Sequence, residues 1–277
     1  MKKIIVPVDF SDHSEYAMKA AAKLAKKFNA ELLILHMLEM SDIMLTASDG
    51  LQNEKALYFF KLAEQKFEAF INKDYLKDIN VTAIVKHFKV FSEVNDVAKK
   101  HHADIIVMGS HGASGVKEFL VGSNTERVVR HSEIPVLVVK KDLLAVNFDV
   151  VVYACDFQEE SIASFIKATK LFEKMKAKMY LVHVNLPNDR FKSTVEIERI
   201  VNSFLKKADG DLQRLDSVNY VSDYTVEEGI LNFANNVGAD LIAISTHGKK
   251  GIAHFFEGSI SEDVANHATL PVITFKI

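Results

Sequence analysis

The sequence predicts an α/β fold built from two duplicated domains, each a mostly parallel sheet with helices on both faces. Three observations predict it. The chain repeats itself, each copy alternates apolar β-branched runs with helical patterns, and both copies carry one glycine-spaced stretch in the same place. Strands that alternate with helices make a parallel sheet, because the crossover helices must cover it.

The repeat is read from offsets. "VPVDFSDHSEYAMKAAAKLAKKFNAELLILHM" opens the first half and "VYACDFQEESIASFIKATKLFEKMKAKMYLVHV" the second, with Asp9 and Asp156 147 residues apart, as are His36 and His183. Later, "ADIIVMGSHGASGVKEFLVGSNTERVVRHSEIPVLVV" is echoed by "ADLIAISTHGKKGIAHFFEGSISEDVANHATLPVITF" at an offset of 136, so the second copy is shorter in its middle by 11 residues. The join near "KKDLLAVNFD" has no Gly/Ser or Pro tract, so the halves are expected to pack together rather than hang on a tether. The expected domains are 1–143 and 144–277.

Each element has its own signal. Ile4 to Val8 is an almost pure apolar run, as a strand buried on both faces requires. Residues 13–28 place Ala17, Ala20, Ala21, Leu24 and Phe28 on one helical side. Glu31–Met37 is the second strand. Ala56, Phe60, Ala63, Phe67 and Phe70 mark an amphipathic helix, matched by Ile197, Val201, Phe204 and Ala208. The aromatic stripe Phe59, Phe60, Phe67, Phe70 reads as core. Val81–Val85 is the third strand, Glu93–His101 a helix, and Ile105–Met108 the fourth strand. Ser123–His131 is the last helix and Pro135–Val139 the last strand. Such sheets bind ligands beyond the carboxyl ends of their strands, where strand order reverses. With strands one and four adjacent there, Asp9 and Gly109 face one crevice.

Composition sets limits. The 277 residues, 48% hydrophobic and 26% charged, suit two globular domains with a core each. A net charge of -3 supplies no basic field for nucleic acid. One cysteine, Cys155, excludes an internal disulfide and fits a reducing compartment. No apolar run approaches the roughly 18 residues of a membrane span. The opening "MKKIIVPVDFSD" starts like a signal peptide, but its apolar run is short and ends at Asp9. The expectation is a cytoplasmic protein with no membrane or nucleic-acid partner.

The chemistry concentrates in "MGSHGASGVKEFLVGSNTERVV", where four of only 11 glycines fall: Gly109, Gly112, Gly115 and Gly122. The spacing Gly109-x2-Gly112-x9-Gly122-Ser123 follows a strand and precedes a helix. Glycine lets a backbone come close to a ligand, and a helix N-terminus offers unpaired N–H groups to an anion. The residues alone leave two readings open. One is a phosphate cradle completed by Ser123, Asn124 and Thr125. The other is a turn followed by a capping box, Ser123-x-x-Glu126, repeated at Ser259-x-x-Glu262. Neither a P-loop nor the dinucleotide fingerprint is present.

Taken together, "VPVDFS", "LHM", the spaced glycines and "EIPVLVV" closely resemble the universal stress protein family, over nearly the whole chain. The resemblance implies two tandem Rossmann-like domains, each a five-stranded parallel sheet, that pair through their last strands. Two chains would then associate further as a homodimer. It implies an ATP-binding type of member. Asp9 would hold ribose hydroxyls or the adenine edge, Pro7 and Val8 would shape the base pocket, and Met37, just after the second strand, would contact adenine through its backbone. Met108 and Gly109 would lie under the ribose and α-phosphate. Gly112, Gly122, Ser123 and Asn124 would hold phosphates, with Thr125 nearby and His111 inside the loop, where it either approaches phosphate or holds the turn. Mg²⁺ would ride on the phosphates rather than in a protein cage.

The second half departs from this pattern. Its motif is Ser245-x2-Gly248-x9-Gly258-Ser259, with Ala154 and Cys155 standing where Pro7 and Val8 stand, and Asp156 kept. Asp156, Val184, Ser245, Gly248, Gly258 and Ser259 form a weaker second site if position 245 needs positive φ or a close phosphate. His36 and His183 read as strand-end histidines bonded to backbone, His101-His102 as surface, and Cys155 as an inert, half-buried thiol. The expected function is an adenine-nucleotide-binding (ATP, ADP or AMP) stress or regulatory protein that acts on an unidentified protein partner. The alternatives are a slow ATPase or self-phosphorylating protein, for which only Lys117 is a nearby cation, and an assembly module with a vestigial second pocket. No catalytic residue and no metal ligand is assigned.

Overall fold

The computed structural model describes residues 1–38, 49–87, 93–110, 122–142, 147–246 and 268–277. Its first half runs β1 (Lys3–Val8), α1 (Asp12–Phe28), β2 (Glu31–Leu38), α2 (Asp49–Ile71), β3 (Val81–His87), α3 (Val94–Lys100), β4 (Ile105–Gly109), α4 (Ser123–His131) and β5 (Val136–Val139). The second runs β6 (Val150–Ala154), α5 (Ile162–Met175), β7 (Lys178–Asn185), α6 (Thr194–Ala208), β8 (Val218–Ser222), α7 (Val226–Asn236), β9 (Leu241–Thr246) and β10 (Val272–Lys276).

These strands form one sheet in the order β3-β2-β1-β4-β5-β10-β9-β6-β7-β8. Every pairing within a half is parallel. Among the described strands one junction is antiparallel, and it joins the last strands of the two halves, with Val138 beside Val272, Leu137 beside Ile273 and Val136 beside Thr274. The expected pairing of last strands is therefore met within one chain.

Among the described residues the junction joins the cores on one face only. Leu137, Val139, Ile273 and Phe275 belong to a single apolar cluster that runs from Ile4 and Leu24 to Phe165 and Phe204. On the other face Val136 and Val138 pack with Met37, Val97 and Val128. Val272 packs there with Ile230 and Ala268 in a separate cluster. The alternation of side chains across a pleated strand produces this split.

Helix boundaries follow local chemistry. Ser11 Oγ accepts from the Ser14 N–H at 3.2 Å and starts α1, with Asp12 and Glu15 in its first turn and Lys26 and Lys27 in its last. Asn29 closes it in the left-handed region, φ 49°. Positive φ recurs at duplicated positions: Phe10 and Phe157, Asn29 and Lys176, His102 and Gly238. Strands β2 and β3 run past the expected Met37 and Val85, because the ladder continues to Leu38 beside His87. Phe67 is buried and Phe70 partly buried, as a core stripe requires. The side chains of Phe59 and Phe60 lie outside the description. Among the described residues no helix is long and apolar enough to cross a membrane.

Candidate functional site

Strand order reverses between β1 and β4, which pair in parallel with Ile4 beside Ile105 and Ile5 beside Ile106. This register carries Asp9, just after β1, to the level of Ser110, just after β4. Both stand at the carboxyl ends of adjacent strands, as expected for a ligand crevice.

Asp9 is fixed by the helix that follows it. Its Oδ1 accepts from the Ser11 N–H at 3.1 Å and from Ser11 Oγ at 2.6 Å, and that same Ser11 caps α1. Phe10, between them, holds φ 67°, a left-handed conformation costing about 1–2 kcal/mol for an L-residue. Its ring lies 4.3 Å from the ring of His36, centroid to centroid. His36 Nδ1 in turn meets the Val8 carbonyl at 2.9 Å, in keeping with a structural strand-end histidine. Burial lowers the His36 pKa against the opposing pull of that carbonyl and of Asp9, so the imidazole favours the neutral form. The neutral Nδ1–H is then the donor.

The glycine stretch is closed at its base. Gly122 N–H donates to the Ser110 carbonyl at 2.6 Å and Ser110 N–H to the Val139 carbonyl at 3.0 Å, so the ends of the intervening loop meet beside β4 and β5. His111, Gly112 and Gly115 lie outside the described residues. Gly122 itself caps α4 with no side-chain bond, and Ser123 is the first helical residue. This corrects the expected capping box at Ser123. Glu126 does not reach back to the helix start, because its carboxylate is paired one turn onward with Arg130 at 2.5 Å. The first-turn N–H groups of Ser123, Asn124 and Thr125 therefore precede the first intrahelical bond, Glu126 N–H to the Gly122 carbonyl. Thr125 is buried, and its Oγ1 donates to the Gly109 carbonyl at 2.7 Å. Its hydroxyl hydrogen ties α4 to β4.

Met37 lies inside β2, registered beside Lys86, rather than just after the strand. The strand outlasts the expected end because β3 continues to pair with it. Pro7, Val8 and Met108 lie in strands β1 and β4; Val8 and Met108 are buried, at 1% and 3% exposure.

The second half holds a cleft of about 240 Å³ at the equivalent place, lined by Asp156, Val184, Lys192, Ile230, Ile244 and Ser245 among others. Asp156 Oδ1 accepts from the Gln158 N–H at 3.0 Å and from Ser161 Oγ at 2.8 Å. Gly248, Gly258 and Ser259 lie outside the described residues. Cys155 is buried rather than half-buried, and burial pushes its thiol up, away from a reactive thiolate.

The reason expected for the difference between Gly109 and Ser245 changes. Neither residue has positive φ. A Cβ on Gly109 would instead strike the backbone of α1 at His13. Ser245 instead bonds to the helix: its Oγ lies 2.8 Å from Ser164 Oγ of α5, and the counterpart of the first turn of α1, Glu159–Ser161, is a 3-10 turn leading into α5. Sequence reading missed Ser11 and Ser161, although a serine close behind each Asp was visible. It also missed Lys192, which the fold carries to the cleft as Asn185 clasps its backbone through both amide atoms, at 2.9 and 3.0 Å.

The family model described as universal stress protein family matches residues 1–140 and 147–276. Universal stress protein MJ0531 of Methanocaldococcus jannaschii is 32% identical over 150 residues, covering 50% of this chain and 82% of its own length. MJ0577 of the same organism is 33% identical over 156 residues, covering 50% of this chain and 95% of its own. A crystal structure of a universal stress protein from Archaeoglobus fulgidus superposes with a TM-score of 0.63 at 23% identity, over 99% of this chain and 96% of that one, a likeness of fold.

Proposed function

Because the chain belongs to the universal stress protein family, we propose that it is an adenine-nucleotide-binding regulatory protein whose first-half crevice takes ATP or a related nucleotide. One observation carries the reading. At the point where strand order reverses, a fixed carboxylate (Asp9) stands level with Ser110, whose carbonyl takes the Gly122 N–H and so pins the two ends of the glycine-spaced loop, and the first-turn N–H groups of α4, which precede its first intrahelical bond, follow directly. A carboxylate suits the two hydroxyls of a ribose, and a helix start suits phosphate.

In this reading Pro7, Val8 and Met37 border the base, Asp9 holds the ribose, and Met108 and Gly109 lie beneath it. His111, Gly112, Gly122, Ser123 and Asn124 surround the phosphates, and Thr125 braces the loop from below. Mg²⁺ arrives with the phosphates. Occupancy alters the crevice-side surface and so the affinity for a protein partner, in the cytoplasm. The protein acts as a binding module, with hydrolysis slow at most.

The test is to denature the purified protein and count adenine nucleotide released per chain by chromatography. About one per chain, lost on Asp9→Ala and on Gly122→Val while the fold persists by circular dichroism, supports the reading. No nucleotide, with no heat on titrating ATP and Mg²⁺, overturns it.

A further inference from the structure

Three residues differ together between the halves. Where the first half has Val6, Ala17 and Gly109, the second has Tyr153, Ser164 and Ser245 at the matching offsets. Three apolar positions have become three hydroxyls, and the three hydroxyls touch. Tyr153 Oη lies 2.6 Å from Ser245 Oγ, and Ser245 Oγ lies 2.8 Å from Ser164 Oγ.

The direction of this chain follows from counting hydrogens. A serine hydroxyl has one to give. Ser164 gives its hydrogen to the Ser161 carbonyl, 2.8 Å away. Toward Ser245 it can only accept, so Ser245 donates to Ser164. Ser245 then accepts from Tyr153, whose phenol is fully buried and needs a partner. The order is Tyr153 to Ser245 to Ser164 to the Ser161 carbonyl.

Ser161 is the cap residue of α5, and its own hydroxyl donates to Asp156 Oδ1. The chain therefore ends on the turn that carries the carboxylate of the second cleft. The first half reaches the same result differently. Ser11 holds Asp9, Ser14 Oγ donates to the Ser11 carbonyl at 2.9 Å, and the helix is set by direct contact of His13 with Gly109. In the second half the matching turn, Glu159–Ser161, is a 3-10 turn leading into α5, and the Ser245 side chain ties that helix to β9 through Ser164.

We propose that Ser245 is a positioning residue of a second ligand site, in which the hydroxyl chain from Tyr153 to Ser161 fixes Asp156 so that its Oδ2 meets the adjacent hydroxyls of a nucleoside-class ligand. Among the described residues Asp156 Oδ2 takes no protein donor, whereas Oδ1 takes two. The cleft walls are apolar at Val184, Val226, Ile230 and Ile244, as a base requires. Its volume of about 240 Å³ suits a ligand of nucleoside size. Ser245 is thus a replacement anchor rather than a damaged glycine. The inference rests on the nucleotide reading of the first crevice, of which this cleft is the duplicate.

The experiment is calorimetric titration of the full chain with AMP and with 2′,3′-dideoxy-AMP. Wild type is expected to show two AMP events, one removed by Asp9→Ala and one by Asp156→Asn. Ser245→Ala and Tyr153→Phe each weaken the Asp156-dependent event about tenfold for AMP, and leave dideoxy-AMP within twofold. Combined with Asp156→Asn, Ser245→Ala costs nothing further. Ser245→Thr, which keeps the hydroxyl, restores AMP binding. Tyr153→Phe serves alone if Ser245→Ala does not fold. One AMP event that Asp9→Ala removes and Asp156→Asn spares overturns this site and leaves the nucleotide reading standing. Parallel loss of AMP and dideoxy-AMP, or no effect of either variant, also overturns the positioning role. No event at either half overturns both.

Discussion

A Cβ placed on Gly109 would stand 2.6 Å from the carbonyl oxygen of His13. The glycine is a packing requirement: the first turn of α1 rests on the end of β4, and backbone leaves no flexible atom to yield. Gly109→Ala is expected to destabilise the protein by about 1–3 kcal/mol, since overpacking must push the helix away. Urea unfolding measures it, and an unchanged midpoint would show that α1 yields freely.

Thr125 ties the other side of that strand. Its buried hydroxyl donates to the Gly109 carbonyl. Thr125→Val keeps the shape and removes the donor, and is expected to cost about 1–3 kcal/mol. If nucleotide binding falls without any loss of stability, Thr125 touches ligand and the bracing role assigned to it is wrong.

Burial holds His36 and His183 below their ordinary 6.5, outweighing the Val8 carbonyl on His36 and the nearby Asp9 and Asp156; the Nδ1 of His183, expected to bond to backbone as His36 does, is buried without a hydrogen-bond partner among the described residues. In the unfolded chain both imidazoles titrate near the ordinary value. Between that value and the lower folded one the unfolded state binds more protons, so stability falls as pH drops through about 6.5 and is level above it. Denaturation midpoints from pH 8 to pH 5 read this out. His36→Asn should flatten part of the slope, and a slope unchanged in His36→Asn/His183→Asn would assign it to other groups.

The antiparallel junction leaves a testable edge. Without the second half, β5 would expose an unpaired strand bearing Val136, Leu137, Val138 and Val139, all buried in the whole chain. A polypeptide of residues 1–140 is expected to dimerise through β5, copying the contact with β10. Sedimentation at micromolar concentration decides it, and a well-folded monomer would contradict the expectation.

Lys176 closes α5 with φ 55° and is exposed. Glycine adopts this conformation without the Cβ clash. Lys176→Gly is expected to raise stability by about 1 kcal/mol. A drop in melting temperature would mean that the lysine side chain contributes more than its backbone strain removes.

Much was legible in the residues. The offsets of 147 and 136 between copies announced a duplicated domain, and apolar runs such as Ile4–Val8 announced strands buried on both faces. The pairing of β5 with β10 followed from the family resemblance carried by those motifs. Asp9 and Asp156 were legible because each ends a first strand. These features are local or periodic, so neighbouring residues suffice to declare them.

Tertiary structure alone decided what Gly109 and Ser245 are for. From the chain, the first looked like a conformational glycine and the second like its degraded copy. Their partners, His13 for one and Tyr153 and Ser164 for the other, are 96, 92 and 81 residues away. Whether a Cβ collides or anchors depends on how the first turn of the following helix is wound and where it comes to rest on the sheet. Ångström-scale contact between distant segments sets that distance, and no period or motif in the sequence encodes it.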